Sequence, residues 1–167
     1  LRGELKNIIQ DFLDNDIIEP CSSPWNSPIL LVKKQNGKFR LVVDYRRLNN
    51  ATEQVNYPLP NLEDSISLLE NSRIFSACDL MKGFYQIALE PESAPRTAFS
   101  CEYGQYSFKR MPMGCRNSPA VFCKIMDTAL KSIDKSAVLS YMDDVVIHSI
   151  DEANHLINLK KFFQVCA

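Results

Sequence analysis

Val138-Leu139-Ser140-Tyr141-Met142-Asp143-Asp144-Val145-Val146-Ile147-His148-Ser149 is two β-rich runs, Val138 to Met142 and Val145 to Ser149, separated by Asp143-Asp144. Branched and aromatic side chains fit a pleated, half-buried surface, and acidic residues suit the bend between two such strands. Upstream, Arg73 to Leu80 reads as a further strand that delivers Asp79 near its end. Asn117 or Ser118 followed by Pro119 starts a helix, as a capping side chain and a first-turn proline. Val121, Phe122, Ile125, Met126, Ala129 and Leu130 give that helix its buried face. Downstream, His155, Leu156, Leu159, Phe162, Phe163 and Cys166 pattern a closing helix.

From residue 73 onward, with the insert at 85–109 set aside, the order is strand, helix, strand, strand, helix. That order predicts an α+β fold with a ferredoxin-like, split βαβ sheet lacking its last strand. First and third strands are neighbours in such a sheet, so Asp79 and the Asp143-Asp144 turn are expected to converge. Like charges near 4 Å repel by about 4 kcal/mol at an effective dielectric of 20. Either the carboxyl pKa values rise or cations occupy the cluster, and hard oxygen ligands favour magnesium or manganese. Two ions roughly 3.5–4 Å apart can stabilise both the attacking and the leaving oxygen of a phosphoryl displacement. A bare Asp-Asp pair is more often a polar turn and nothing else. The flanking valines and isoleucines, with Asp79 arriving on its own strand, favour metal.

The amino-terminal part follows a different pattern. Leu1, Leu5, Ile8, Ile9, Phe12 and Leu13 share one face of a helix over 1–13. Pro20, Pro24 and Pro28, with Ser22, Ser23 and Ser27 between them, make the next stretch a loop. Ile29 to Lys34 and Phe39 to Asp44 read as strands paired through an Asn36-Gly37 turn. Lys33, Lys34, Lys38 and Arg40 cluster there, and lysines at a hairpin tip serve as edge protection about as often as they bind anions. Tyr57-Pro58-Leu59-Pro60 is a loop, after which Asn61 caps a short helix with Leu62, Ile66 and Leu69 inward. Tyr85 to Glu90 alternates as a half-buried strand should, and short strands are expected at Thr97 to Cys101 and Gln105 to Lys109 around Gly104.

The 167 residues are 46% hydrophobic, which supports a core and argues against disorder. No apolar run is long enough to cross a bilayer, and residues 1–15 interleave charge with apolar side chains, unlike a signal peptide. A net charge of −1 does not advertise nucleic acid, although local clusters decide binding. Cys21, Cys78, Cys101, Cys115, Cys123 and Cys166 lack zinc-site spacing and read as reduced, mostly buried thiols. These features suit a soluble protein inside a cell or particle. His148 and His155 have no partner in sequence and read as surface or internally satisfied side chains.

Four stretches, in this order and at these spacings, resemble the landmarks of one family. They are Phe39-Arg40-Leu41-Val42-Val43-Asp44-Tyr45-Arg46-Arg47-Leu48-Asn49, Tyr57-Pro58-Leu59-Pro60, Asp79-Leu80-Met81-Lys82-Gly83-Phe84-Tyr85-Gln86, and Met111-Pro112-Met113-Gly114-Cys115-Arg116-Asn117-Ser118-Pro119. With Tyr141-Met142-Asp143-Asp144 they are similar to the fingers and palm of reverse transcriptases from retroviruses and LTR retrotransposons, most of all the gypsy class. The resemblance runs from about Leu5 to Phe163. It implies a right-hand polymerase fold without a thumb, with fingers over about 1–72, an insert near 85–116, and palm over about 73–84 and 117–167.

The resemblance also implies roles. Asp79 and Asp143 would bridge two Mg2+ ions (Mn2+ as a substitute), with Asp144 completing the site and the Leu80 carbonyl ligating. Lys33 and Arg40 would reach the incoming nucleotide's phosphates, the choice of Lys33 or Lys34 depending on hairpin length. Backbone amides of Lys82 and Gly83 would touch the triphosphate, and Met113 and Gly114 would lie under base and sugar. Phe84, five residues after Asp79, would exclude a ribose 2′-hydroxyl, although a core aromatic is the commoner reading of such a position. Tyr141 and Met142 would border the template and primer; Arg46 is either a template contact or an ion-pair residue.

Implied partners are an RNA or DNA template with its primer, dNTPs, and the rest of a Pol polyprotein (thumb, connection, RNase H), with no membrane. The implied location is the cytoplasm, including virus-like particles. Met113 and Cys115 depart from the residues usual at their positions, and the chain stops at Ala167 before the family's last palm strand. Weak or undetectable processive synthesis by this piece alone is therefore expected. A truncated or domesticated relic that binds without catalysis is the alternative, against which the three intact aspartates speak. An RNA-templated RNA polymerase is a further one, against which Phe84 speaks.

Overall fold

The computed structural model describes residues 1–58, 61, 66–134 and 136–166. In chain order the elements are α1 (Arg2–Asp14), β1 (Ile18–Pro20), β2 (Ile29–Lys33), β3 (Phe39–Val43), α2 (Arg46–Asn50) and β4 (Ile74–Asp79). Two 3-10 turns follow, Gly83–Gln86 and Ala94–Thr97, then β5 (Phe99–Cys101) and β6 (Gly104–Phe108). The chain ends with α3 (Ser118–Ala129), a 3-10 turn at Leu130–Ser132, β7 (Val138–Tyr141), β8 (Asp144–Ser149) and α4 (Glu152–Cys166). These divide into two compact units, Leu1–Gln54 with Phe84–Ser118, and Val55–Gly83 with Pro119–Ala167.

The first unit is built on α1, the β2–β3 hairpin and a sheet of order β1-β6-β5. Ile9 and Phe12 of α1 bury against Ile18, Leu41, Val43, Tyr45, Phe99 and Phe108. Tyr85 stacks on Phe108 with ring centroids 6.1 Å apart, and Phe12 meets the Tyr85 ring edge-on at 5.4 Å. Such aromatic pairs contribute about 0.5–1.5 kcal/mol beyond their burial. Tyr45 is fully buried, so its hydroxyl needs a partner, and it donates to the Thr97 carbonyl at 2.8 Å.

The second unit is the sheet β4-β8-β7, all antiparallel, with α4 packed on β8 and β4. The first and third of its strands are neighbours, as the split βαβ order requires. Val145 and Ile147 of the central strand are completely buried among Leu130, Ile133, Val138 and Phe162. Each fully buried aliphatic side chain contributes roughly 1.5–3 kcal/mol. Along β4, Ile74, Ser76 and Cys78 are half-buried while Phe75, Ala77 and Asp79 are exposed, so one face of the sheet stays open. Asp151 caps α4, its carboxylate accepting from the Asn154 amide at 2.9 Å.

Several expectations are corrected. Leu1 is exposed ahead of α1 rather than part of its buried face. Ile18–Pro20 is an edge strand paired to β6, where a loop was expected; an edge tolerates Pro20, which has no N–H to give. Tyr85 to Glu90 is not a strand: Tyr85 serves the aromatic cluster from a 3-10 turn, and only Ala88 bridges, to Arg110. Thr97 likewise lies in a 3-10 turn, its hydroxyl bonding the Ala94 carbonyl. On α3, Ile125 and Ala129 are exposed, and on α4 so are Leu156, Phe163 and Cys166. Ser118 turns its hydroxyl to the Pro112 carbonyl. Ile66 is 64% exposed rather than inward, while Leu62 lies outside the described residues. Of the cysteines only Cys123 is buried; all six are unpaired thiols.

Candidate active site

In the second unit the pairing of β4 with β8 sets Asp79 directly opposite Asp144, and β7 sets Tyr141 opposite Asp144 from the other side. Residues directly opposite across an antiparallel pair project from the same face, with Cβ atoms about 4.5–5.5 Å apart. Tyr141 pairs with Asp144, so the turn is only Met142 and Asp143. Met142 has φ +53°, a conformation that costs a bulky residue energy and is held here by the pairing on both sides. Past Asp79 the Leu80 N–H donates to the Asp143 carbonyl at 3.1 Å, tying that segment to the turn. The structure thus brings Asp79, Asp143 and Asp144 together.

Gly83 completes the arrangement. A Cβ built there would lie 3.2 Å from Asp143 Oδ1 and 3.2 Å from the Phe122 ring, so any side chain at this position would press the carboxylate or the ring aside by a few tenths of an ångström. That Oδ1 is buried with no hydrogen-bond partner. Burial pushes the Asp143 carboxyl above the ordinary range, and the charges of Asp79 and Asp144 push it further. A buried, unpartnered carboxylate oxygen beside two more carboxylates fits a divalent cation. Among the described residues no three carboxylate, imidazole or thiolate groups close into a ready-made cage. Magnesium suits this, because it is usually held by one or two carboxylates and completed by substrate phosphates and water. The Leu80 carbonyl accepts from the Gly83 N–H at 3.1 Å, which leaves it one lone pair and commits the Gly83 amide.

The basic hairpin lies in the first unit. A Lys34–Gly37 turn closes it, Gly37 N–H donating to the Lys34 carbonyl at 3.0 Å, with Gly37 at φ +80° and Asn36 at negative φ. This three-residue loop ends in a glycine bulge, not the two-residue Asn-Gly turn. Register decides the faces: Lys33 pairs with Phe39, Arg40 with Val32, and the Lys34 N–H bonds the Lys38 carbonyl. Lys33 and Arg40 therefore leave opposite faces, and Lys34 is the lysine on the Arg40 side. An open concavity of about 570 Å3 is lined by Lys33, Lys34, Asn36 and Arg40.

A second cavity of about 240 Å3 in this unit is walled by Arg40, Val42, Tyr85, Phe108, Met113 and Gly114. Phe84 is half-buried in its 3-10 turn. Arg46 forks onto Asp44, with Nε at 2.9 Å and Nη2 at 2.6 Å, and its guanidinium holds the Asp44 carboxyl down at about 2. The ion-pair reading of Arg46 is thus realised, although so exposed a pair contributes little to stability. Lys82, like Met142, has positive φ (+53°). His148 and His155 are both buried, bonded to the Ser72 and Ser76 hydroxyls at 2.8 Å. No spacing marks Asn49 or Arg116, yet both make dense contacts: Asn49 bonds Gly114 and Arg116, and Arg116 reaches Gln54.

Residues 32–167 match the model of the family "Reverse transcriptase (RNA-dependent DNA polymerase)". The chain belongs to the reverse transcriptase family. It is 38% identical over 165 residues to the retrovirus-related Pol polyprotein from transposon opus of Drosophila melanogaster, covering 96% of this chain and 16% of that protein. It is 36% identical over 169 residues to the enzymatic polyprotein of cauliflower mosaic virus (strain Strasbourg), covering 99% of this chain and 25% of the relative. The chain thus spans a quarter or less of the length of these relatives.

Among solved structures, a prototype foamy virus protease-reverse transcriptase superposes with TM-score 0.90 at 30% identity, over 98% of this chain and 22% of that one. A foamy viral protease-reverse transcriptase in complex with RNA/DNA hybrid gives 0.89 at 28% identity, with the same coverage. The α+β fold is that of the corresponding reverse transcriptase segment.

Proposed function

We propose that this chain is the fingers-and-palm segment of an RNA-directed DNA polymerase, of the LTR-element type closest in its motifs to the gypsy class. The observation that carries the reading is Asp79 opposite Asp144, with the unpartnered Asp143 oxygen seated against Gly83. Asp79, Asp143 and Asp144, with the free lone pair of the Leu80 carbonyl, are the groups that would hold two Mg2+ ions, or Mn2+ in their place. When bound, the ions supply positive charge at the attacking and the leaving oxygen.

The reaction is attack of a primer 3′-hydroxyl on the α-phosphorus of a dNTP. The hydroxyl gives up its proton, the bond to the bridging oxygen of the β-phosphate breaks, and pyrophosphate leaves. Arg40 takes the triphosphate by its two-pronged guanidinium and Lys34, on the same hairpin face, by its ammonium charge. The backbone at Lys82 and Gly83 is assigned to the phosphates, where the Gly83 N–H already donates to the Leu80 carbonyl. Phe84 excludes the 2′-hydroxyl, and Tyr141 and Met142 border the primer end. Foamy viral relatives solved with RNA/DNA hybrid and with dsDNA support a template–primer partner.

The test is magnesium-dependent addition of one deoxy- or ribonucleotide to a DNA primer on an RNA template, with enzyme in excess. Deoxynucleotide addition by the wild type and its loss in Asp143→Asn are expected. No addition, or equal addition by the variant, overturns the reading.

A further inference from the structure

Met113 and Gly114 form one wall of the 240 Å3 cavity, and β3, through Arg40, Val42 and Val43, forms the facing wall. Both walls belong to the first unit, and one hydrogen-bonded clasp braces them. Asn49, in the short helix that directly follows β3, spends both ends of its carboxamide on the loop. Its Nδ2 donates to the Gly114 carbonyl at 2.8 Å, and its Oδ1 accepts from the Arg116 N–H at 2.8 Å. Arg116 returns the contact, its Nη1 reaching the Asn49 carbonyl at 3.3 Å and its Nη2 the Gln54 Oε1 at 3.0 Å. The Asn117 side chain adds a bond to the Glu53 carbonyl at 2.8 Å.

The chemistry of the clasp is demanding. Only a side chain with a donor and an acceptor in one plane can hold a carbonyl and an N–H two residues apart. Aspartate keeps the acceptor but sets a charge against the Gly114 carbonyl; alanine keeps neither. Gly114 is at φ +89° and a Cβ there would meet nothing closer than 3.8 Å, so its backbone conformation, not crowding, selects glycine. Such a loop has no strand or helix of its own to fix it, and the clasp supplies the missing constraint.

Resting on the polymerase reading above, and on the role under base and sugar that the resemblance implies for Met113 and Gly114, we propose that Asn49 and Arg116 are positioning residues that set the width of this cavity through the Met113–Gly114 wall, and so its choice of nucleotide. Displacing a bound reactant by about 1 Å can cost on the order of a hundredfold, so small relaxations of this wall are felt.

The test is single-nucleotide addition by wild type, Asn49→Asp, Asn49→Ala and Arg116→Lys, with enzyme in excess over an RNA-templated DNA primer. The apparent Kd for the matched dNTP is expected to rise about tenfold or more. Preference over a mismatched dNTP should shrink, with the larger loss in the apparent Kd and the smaller in the maximal addition rate. Backbone amides at 113–116 should exchange hydrogen faster, with the far-UV spectrum unchanged. The double variant Asn49→Ala with Arg116→Lys should lose no more than the worse of those two single variants, because both act through one network. A merely structural role would lower the fraction of active enzyme and leave the apparent Kd in place. Unchanged Kd and mismatch preference in folded variants overturns this inference alone. No addition by the wild type overturns the polymerase reading, and this inference with it.

Discussion

Replacing Asp143 by asparagine should stabilise the protein when divalent ions are chelated and remove most of the stability those ions confer. The carboxyl is half-buried, one oxygen lacks a partner, and Asp79 and Asp144 stand beside it. Two like charges about 6 Å apart repel by about 1–3 kcal/mol at effective dielectrics of roughly 20–40. Asp79 and Asp144 are exposed, so screening favours a total relief of about 1–2 kcal/mol for Asp143→Asn, whose shape is nearly that of the acid. At this chain length 1 kcal/mol moves Tm by about 2–4 °C, so a rise of about 3–6 °C in EDTA is expected. With Mg2+ at about ten times its Kd the wild type gains about 1.4 kcal/mol by mass action and largely closes the gap. The variant gains much less. Differential scanning calorimetry in EDTA and in graded Mg2+ reads both numbers. A variant that melts below wild type in EDTA, or gains the same from Mg2+, would refute the reasoning.

Three other perturbations follow from named contacts. Gly83→Ala forces its methyl against Asp143 Oδ1 and the Phe122 ring; a loss of about 1–3 kcal/mol in urea unfolding and at least tenfold slower nucleotide addition are expected, and wild-type behaviour in both would contradict the seating argument. Tyr45→Phe leaves the buried Thr97 carbonyl without its hydroxyl donor and should cost about 1–3 kcal/mol by the same unfolding measurement. His148 is held below its ordinary pKa by burial first and by His155 second, so the unfolded chain binds the proton more readily. Stability should be full above about pH 6.5 and fall as pH drops from there through the folded value, an urea-midpoint shift that His148→Gln should flatten.

The second unit was the more legible. Its order of strands and helix follows from β-rich runs on either side of the aspartates, and the split βαβ order sets Asp79 beside the acidic turn, as the pairing of β4 with β8 shows. The hairpin was legible as a hairpin but not in its faces, because one bulged glycine at 37 decides whether Lys33 or Lys34 accompanies Arg40. Tyr85 to Glu90 mimicked a strand because alternation alone does not say that Tyr85 is spent on stacking with Phe108. Ile17-Ile18 was the overlooked signal for β1, masked by three nearby prolines. Asn49 and Arg116 carry no periodic signature; their role exists only once residues 49–54 meet 114–117 in space.

Manganese can stand in for magnesium and report its own position by broadening nearby amide NMR signals. Substoichiometric Mn2+ added to the labelled chain should broaden residues 79–83 and 141–145 first, and Asp79→Asn or Asp143→Asn should restore those signals. Broadening centred anywhere else, or unchanged in both variants, would mean that these aspartates do not hold the ions on which the proposed nucleotidyl transfer depends.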